Sequence, residues 1–144
     1  MIEVLDIKTI VIAGSGIMGA SFAQIFARNG YEVVLYDISS EALRRAKELI
    51  RINLDAQVEA NSFSKEEAEG IFGRIQMTEN KVCFGEADFV LEAIAEKIEI
   101  KHSFWKEISS LVRSDVILTS NTSGLSISEI AKAVIHPERF AGMH

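Results

Sequence analysis

Three observations in this chain predict an α/β fold: a glycine-rich turn directly behind an apolar run, an acid closing the next β-rich run, and strand-type segments alternating with helical ones. The specific expectation is a Rossmann-type, doubly wound parallel sheet with an inserted helical hairpin at about residues 41–72. The turn reads Gly14-Ser15-Gly16-Ile17-Met18-Gly19, spaced G-x-G-x-x-G, and follows the β-branched segment 7–13. In that setting Gly14 permits a tight turn, Gly16 lets the backbone approach a pyrophosphate, and Gly19 lets the helix lie close to the strand. Free N–H groups and the dipole at the start of that helix make an anion site.

Taken in order, residues 7–13 read as a buried first strand. A helix follows over 17–28, with Ala20, Ala23, Phe26 and Ala27 facing the sheet and Asn29-Gly30 as its stop. Residues 32–36 read as the second strand, closed by Asp37. Asp37 lies roughly 20 residues beyond the glycines, where a dinucleotide fold places an acid to accept hydrogen bonds from the adenosine ribose. A carboxylate there also repels a 2′-phosphate and so favours NAD over NADP.

Ser39 or Ser40 caps a helix from about residue 41, whose apolar stripe is Leu43, Ala46, Ile50, Leu54 and Val58. Its other side carries Arg44, Arg45, Lys47 and Arg51, a solvated face or, on a sharper reading, a surface for a phosphorylated substrate. Asn61-Ser62-Phe63 breaks it, and Ser64-Lys65-Glu66-Glu67 opens a second helix through about Phe72 with a capping-box pattern. Two successive helices interrupt the βαβ rhythm and form the hairpin, expected to project from the core. Residues 74–78 read as a weak third strand, 79–86 as a connection, and 88–95 as a strong fourth strand with Glu96 and Lys97 just past its end.

A helix over 98–112 presents Phe104, Trp105, Ile108, Leu111 and Val112 on one face, which makes Trp105 a core residue. Residues 115–119 are a fifth strand running into the polar turn Ser120-Asn121-Thr122-Ser123-Gly124, at the edge where open α/β sheets bind ligands. The last helix spans 126–134 and ends before Pro137. A sixth strand starts at Phe140 and reaches His144. His102 and His136 show no partners in sequence and are expected at the surface.

Composition narrows the function. The 144 residues suggest one domain, and 48% hydrophobic with 25% charged content argues against disorder. Lys+Arg total 15 against 21 Asp+Glu, with no basic block, so nucleic acid is not the expected partner. No apolar run approaches a membrane span, and the first residues lack the pattern of a signal peptide. The one cysteine, Cys83, cannot pair internally and fits a reducing, cytoplasmic setting as a buried or half-buried thiol. No metal site is expected.

These motifs together resemble the N-terminal domain of the 3-hydroxyacyl-CoA dehydrogenase family, including the bacterial 3-hydroxybutyryl-CoA dehydrogenases. The similarity rests on Gly14 through Gly19, on Tyr31-Glu32-Val33-Val34-Leu35-Tyr36-Asp37, and on Glu92-Ala93-Ile94-Ala95-Glu96-Lys97. It rests further on Ser120-Asn121-Thr122-Ser123 with Leu125-Ser126-Ile127, and on Arg139-Phe140-Ala141-Gly142-Met143-His144.

The resemblance implies an NAD-dependent, reversible oxidation of an L-3-hydroxyacyl-CoA to the 3-ketoacyl-CoA. His144 matches the catalytic histidine, which takes the 3-hydroxyl proton as hydride leaves C3. Ser123 matches the serine that hydrogen-bonds the reacting oxygen or the cofactor. Glu96 and Lys101 match cofactor-contact positions, with Lys101 reaching toward the cofactor, and the hairpin matches the element that contacts coenzyme A. The family continues past His144 with Phe-Phe-Asn-Pro, a glutamate that orients the histidine, and a helical domain that completes the substrate cleft and mediates homodimerisation. Gly124 also stands where a second serine is commoner. The expectation is a cofactor domain, residues 1–144, that binds NAD with little turnover by itself. Two other readings stay open: a sugar-acid dehydrogenase of the gulonate type, and a non-catalytic NADH-binding module.

Overall fold

The computed structural model describes Glu3 and residues 6–144. Its strands are β1 (Thr9–Ala13), β2 (Glu32–Tyr36), β3 (Ile75–Thr78), β4 (Phe89–Glu92), β5 (Ile117–Ser120) and β6 (Phe140–Gly142). Its helices are α1 (Ile17–Arg28), α2 (Ser40–Glu59), α3 (Lys65–Gly73), α4 (Ile98–Ile108) and α5 (Ile127–Ala131), with short 3-10 turns at Lys81–Glu86 and Pro137–Arg139. The strands form one sheet in the order β3-β2-β1-β4-β5-β6, and every adjacent pair is parallel. This is the doubly wound arrangement expected from the sequence.

Alternation along β1 shows how the sheet is covered. Ile10 and Ile12 face one core with Ala20, Ala23 and Ala27 of α1 and Leu43, Ile50 and Leu54 of α2. Val11 and Ala13 face a second core with Phe84, Trp105, Ile108 and Ile130. Both faces of the central strands are therefore buried, which explains their continuous apolar composition. The hairpin is part of this packing and does not project free of it: Ala68 and Ile71 of α3 join the first core. Strand order reverses between β1 and β4, and the crevice opens at their carboxyl ends.

Several elements are shorter than expected, each for a local reason. β1 begins at Thr9 because the N–H groups of Lys8 and Thr9 both donate to Asp88 Oδ2, at 2.9 Å. β4 stops at Glu92 instead of Ala95, because the Ile94 N–H turns back to the Glu92 carboxylate at 3.0 Å. α4 stops at Ile108 instead of Val112, because the backbone tightens there, the Ser110 N–H donating to the Glu107 carbonyl and the Leu111 N–H to that of Ile108, three residues back. Leu111 thereby leaves the packed face and is 43% exposed.

Candidate functional site

The glycine turn and Asp37 form one unit. The Ser15 N–H and hydroxyl both donate to Asp37 Oδ2, at 2.8 and 2.9 Å, and the Ser39 N–H donates to Oδ1 at 2.9 Å. The acid at the end of β2 thus holds the turn at the end of β1, while its edge faces the crevice. Gly14 has a φ of +101°, and a Cβ there would overlap the Ala93 carbonyl. Gly19 is equally constrained, since its Cβ would overlap the Gly14 carbonyl oxygen. Gly16, Ile17 and Met18 open α1, with no side-chain cap and no acidic residue in the first turn. Uncapped N–H groups at a helix terminus of this kind suit an anion.

Beside this turn lies a cleft of about 600 Å³. Gly14, Ser15 and Gly16 line one end, Asp37 and Ile38 one wall, and Ala93, Ile94, Ala95, Ile100 and Phe104 the opposite wall. The lining is mostly apolar, with Asp37, Lys81 and Glu107 as its charged groups.

The loop after β4 is held by a buried carboxylate. Glu92 and Lys101 are 0% and 1% exposed, and Lys101 Nζ lies 2.5 Å from Glu92 Oε2. Glu92 Oε1 accepts from the Ser120 hydroxyl at 2.6 Å and from Trp105 Nε1 at 3.4 Å. Lys101 is thus turned to Glu92, and its Nζ also donates to the Ile94 carbonyl at 3.3 Å and lies 3.6 Å from Glu96 Oε1. Glu92 was not among the expected site residues. Its signal, a charge inside an apolar strand, lay in the sequence.

Glu96 spans the gap between the β4 and β5 ends. Its Oε1 accepts from the Thr122 hydroxyl at 2.6 Å, and its Oε2 accepts from the Ser123 N–H at 3.1 Å and hydroxyl at 3.4 Å. The Thr122 hydroxyl bond above all, with the Ser123 N–H and the nearby Lys101 ammonium, holds its carboxyl down at about 2. Ser123 and Glu96 thus meet, as a turn fastened to the β4–α4 loop. His144 follows β6, and the neighbouring Met143 N–H donates to the Ser120 carbonyl at 2.9 Å, so the histidine sits at the same carboxyl edge as the turn. Its side chain is exposed.

Other expectations change in detail. His102 is half-buried, with Nε2 2.6 Å from the Glu129 carbonyl, because α4 packs against α5. His136 is exposed, as expected. The basic face of α2 is not bare: Arg44 pairs with Glu41 and Glu48, and Arg51 with Glu69 while stacking on Phe72. Cys83 is half-buried, and burial pushes its thiol up to about 11. Among the described residues no helix is long and apolar enough to cross a membrane.

The crevice fits a dinucleotide. A Cβ on Gly16 would meet no protein atom within 4 Å, and its φ of −69° suits any residue. Packing and strain therefore do not require glycine there; what glycine preserves is the open space in front of the α1 N-terminus. A phosphate fits that space, and a ribose and flat base fit Asp37 and the apolar cleft beyond it.

The comparisons with known proteins agree with this geometry. A family model described as "3-hydroxyacyl-CoA dehydrogenase, NAD binding domain" matches residues 9–144. The chain is 36% identical over 140 residues to the 3-hydroxyadipyl-CoA dehydrogenase of Escherichia coli K12, covering 97% of the chain and 30% of that protein. It is 34% identical to a probable 3-hydroxybutyryl-CoA dehydrogenase of Bacillus subtilis, covering 97% of the chain and 49% of that protein. Among solved structures, it matches the (S)-3-hydroxybutyryl-CoA dehydrogenase of Ralstonia eutropha with a TM-score of 0.93 and 32% identity, over 96% of this chain and 49% of that one. A 5-formyl-3-hydroxy-2-methylpyridine 4-carboxylic acid 5-dehydrogenase matches with a TM-score of 0.82 and 32% identity, over 96% of this chain and 44% of that one. The chain spans half or less of the length of these relatives. The family match runs from the first residue of β1 to the end of the chain, and the chain belongs to the NAD-binding domain family of the 3-hydroxyacyl-CoA dehydrogenases, with NAD as its cofactor.

Proposed function

We propose that the chain is the cofactor half of an NAD-dependent L-3-hydroxyacyl-CoA dehydrogenase, of the 3-hydroxybutyryl-CoA type. The observation that carries this reading is the shared carboxyl edge, where Glu96 fastens Ser123 and β6 leads into His144. In this reading the α1 N-terminus takes the pyrophosphate and Asp37 accepts from the adenosine ribose hydroxyls. The nicotinamide ring, when bound, supplies the site that accepts hydride from C3 of the substrate. His144 takes the 3-hydroxyl proton on its imidazole as C3 is oxidised, and returns it in the reverse direction. Ser123 offers its hydroxyl to the reacting oxygen, and Glu96 holds the turn that carries Ser123.

The α2–α3 hairpin is the element we assign to the coenzyme A moiety. A shallow groove of about 490 Å³, lined by Lys47, Glu48, Arg51, Ile52 and Phe72, supports that assignment with apolar surface and with Lys47, Arg51 being paired with Glu69. The whole protein, in this reading, is a cytoplasmic homodimer, and this chain without its remaining domain binds NAD with little turnover. A second reading is a dehydrogenase of a free acid, favoured by the 32% identical pyridine-carboxylate enzyme. The test is NADH-dependent reduction of acetoacetyl-CoA by the whole protein, against a panel of free acids. His144→Ala is expected to lower the acyl-CoA rate at least about a hundredfold. Turnover of free acids alone, or an unaffected His144→Ala variant, overturns the reading.

A further inference from the structure

The cleft that the glycine turn lines also holds an ion pair. Lys81, at the start of the Lys81–Glu86 turn, places Nζ 2.5 Å from Oε1 of Glu107, near the end of α4. Both side chains are about half exposed, at 46% and 52%. Exposed pairs of this kind contribute little to stability. Yet both residues line the same cleft as Gly14 and Asp37. The cleft lining also carries two large apolar side chains, Ile38 and Ile100, which are 82% and 42% exposed. Large apolar side chains left to water in the lining of one cleft suit the faces of a flat aromatic ligand.

The pair completes that picture chemically. Glu107 offers only acceptors and Lys81 only donors, and the pairing uses Oε1 of Glu107, leaving Oε2. Adenine presents the complementary pattern, an N6 amino donor beside ring-nitrogen acceptors. A 6-oxopurine reverses it, with an acceptor at O6. We propose that Glu107 and Lys81 read the polar edge of the adenine base, so that the chain selects an adenine dinucleotide over its 6-oxopurine counterpart. The proposal rests on the NAD reading of the crevice and adds to it the residues that recognise the base.

Calorimetric titration of the chain with NADH, with reduced nicotinamide hypoxanthine dinucleotide and with reduced nicotinamide mononucleotide tests this. The unmodified chain is expected to prefer NADH over the hypoxanthine cofactor by about tenfold. Glu107→Gln and Glu107→Ala are expected to bring that ratio to within about twofold, because neither presents a carboxylate to O6. Lys81→Met is expected to weaken NADH about tenfold. None of the variants is expected to change mononucleotide binding or the melting temperature, since the mononucleotide lacks the base. An equal preference in the unmodified chain and the Glu107 variants overturns the proposal while leaving the NAD reading intact. Absence of NADH binding by the unmodified chain overturns both.

Discussion

Lys101 and Glu92 form an ion pair that water does not reach, with Nζ 2.5 Å from Oε2 and neither residue more than 1% exposed. The carboxylate also takes hydrogen bonds from the Ile94 N–H, Trp105 Nε1 and the Ser120 hydroxyl. One acid therefore joins β4, the loop after it, α4 and β5. Removing one member of a buried pair leaves the other charge without compensation, at a cost of about 3–5 kcal/mol. Lys101→Met is expected to destabilise the chain by about that amount in urea denaturation, and Glu92→Gln combined with Lys101→Met to recover more than half of it. A Lys101→Met variant as stable as the unmodified chain is incompatible with this role.

Glu96 predicts a pH dependence of defined sign. Its carboxyl is held down at about 2 in the fold, against 4.5 for the free group. The unfolded chain therefore binds this proton first as the pH falls. The contribution of Glu96 is fully present above about 4.5 and is lost as the pH falls toward about 2. The carboxylate is 43% exposed, so solvent screens part of the effect. Thermal denaturation across that window is expected to show a steeper loss of melting temperature in the unmodified chain than in Glu96→Gln. Parallel curves for the two proteins count against the assignment.

What the sequence revealed about the site follows the range of the interactions. The glycine turn and Asp37 were legible because each sits at a strand end set by its own neighbours, and the strand–turn–helix pattern is local. The weak apolar signal at β3 is also explained: β3 is an edge strand, and its residues are only half-buried or exposed. The sequence places Glu92 in the fourth strand, and the family resemblance makes Lys101 a cofactor contact. Their pairing, and the Ser120 bond to Glu92, depend on which way side chains turn at the ends of β4 and β5, and periodicity carries no such information. Lys81 and Glu107 were hidden for the same reason, lying on a connection and a helix that only the folded sheet brings together.

Asp37 has two functions that a variant must separate. Besides facing the cleft, it accepts the N–H of buried Ser15 at 2.8 Å. Asp37→Ala orphans that donor, a cost of about 1–3 kcal/mol, so weakened cofactor binding in it is ambiguous. Asp37→Asn keeps an acceptor and removes the charge that opposes a 2′-phosphate. It is expected to narrow the preference for NADH over NADPH by about tenfold. Calorimetry with both cofactors gives the ratio, and a ratio equal to that of the unmodified chain sinks the ribose assignment.

Gly16 and Gly19 belong to one motif and are expected to fail in opposite ways. A Cβ on Gly19 would overlap the Gly14 carbonyl oxygen, backbone that cannot move without displacing α1 from the turn. Gly19→Ala is therefore expected to destabilise the chain by roughly 1–3 kcal/mol, as overpacking does. A Cβ on Gly16 meets nothing within 4 Å and the backbone there is unstrained, so Gly16→Ala is expected to leave the urea midpoint unchanged. In the proposed reading, the added methyl instead stands where the pyrophosphate approaches the start of α1. NADH affinity in Gly16→Ala is expected to fall at least about tenfold with no loss of stability. Full NADH affinity in that variant means that the open space before Gly16 is not the phosphate site.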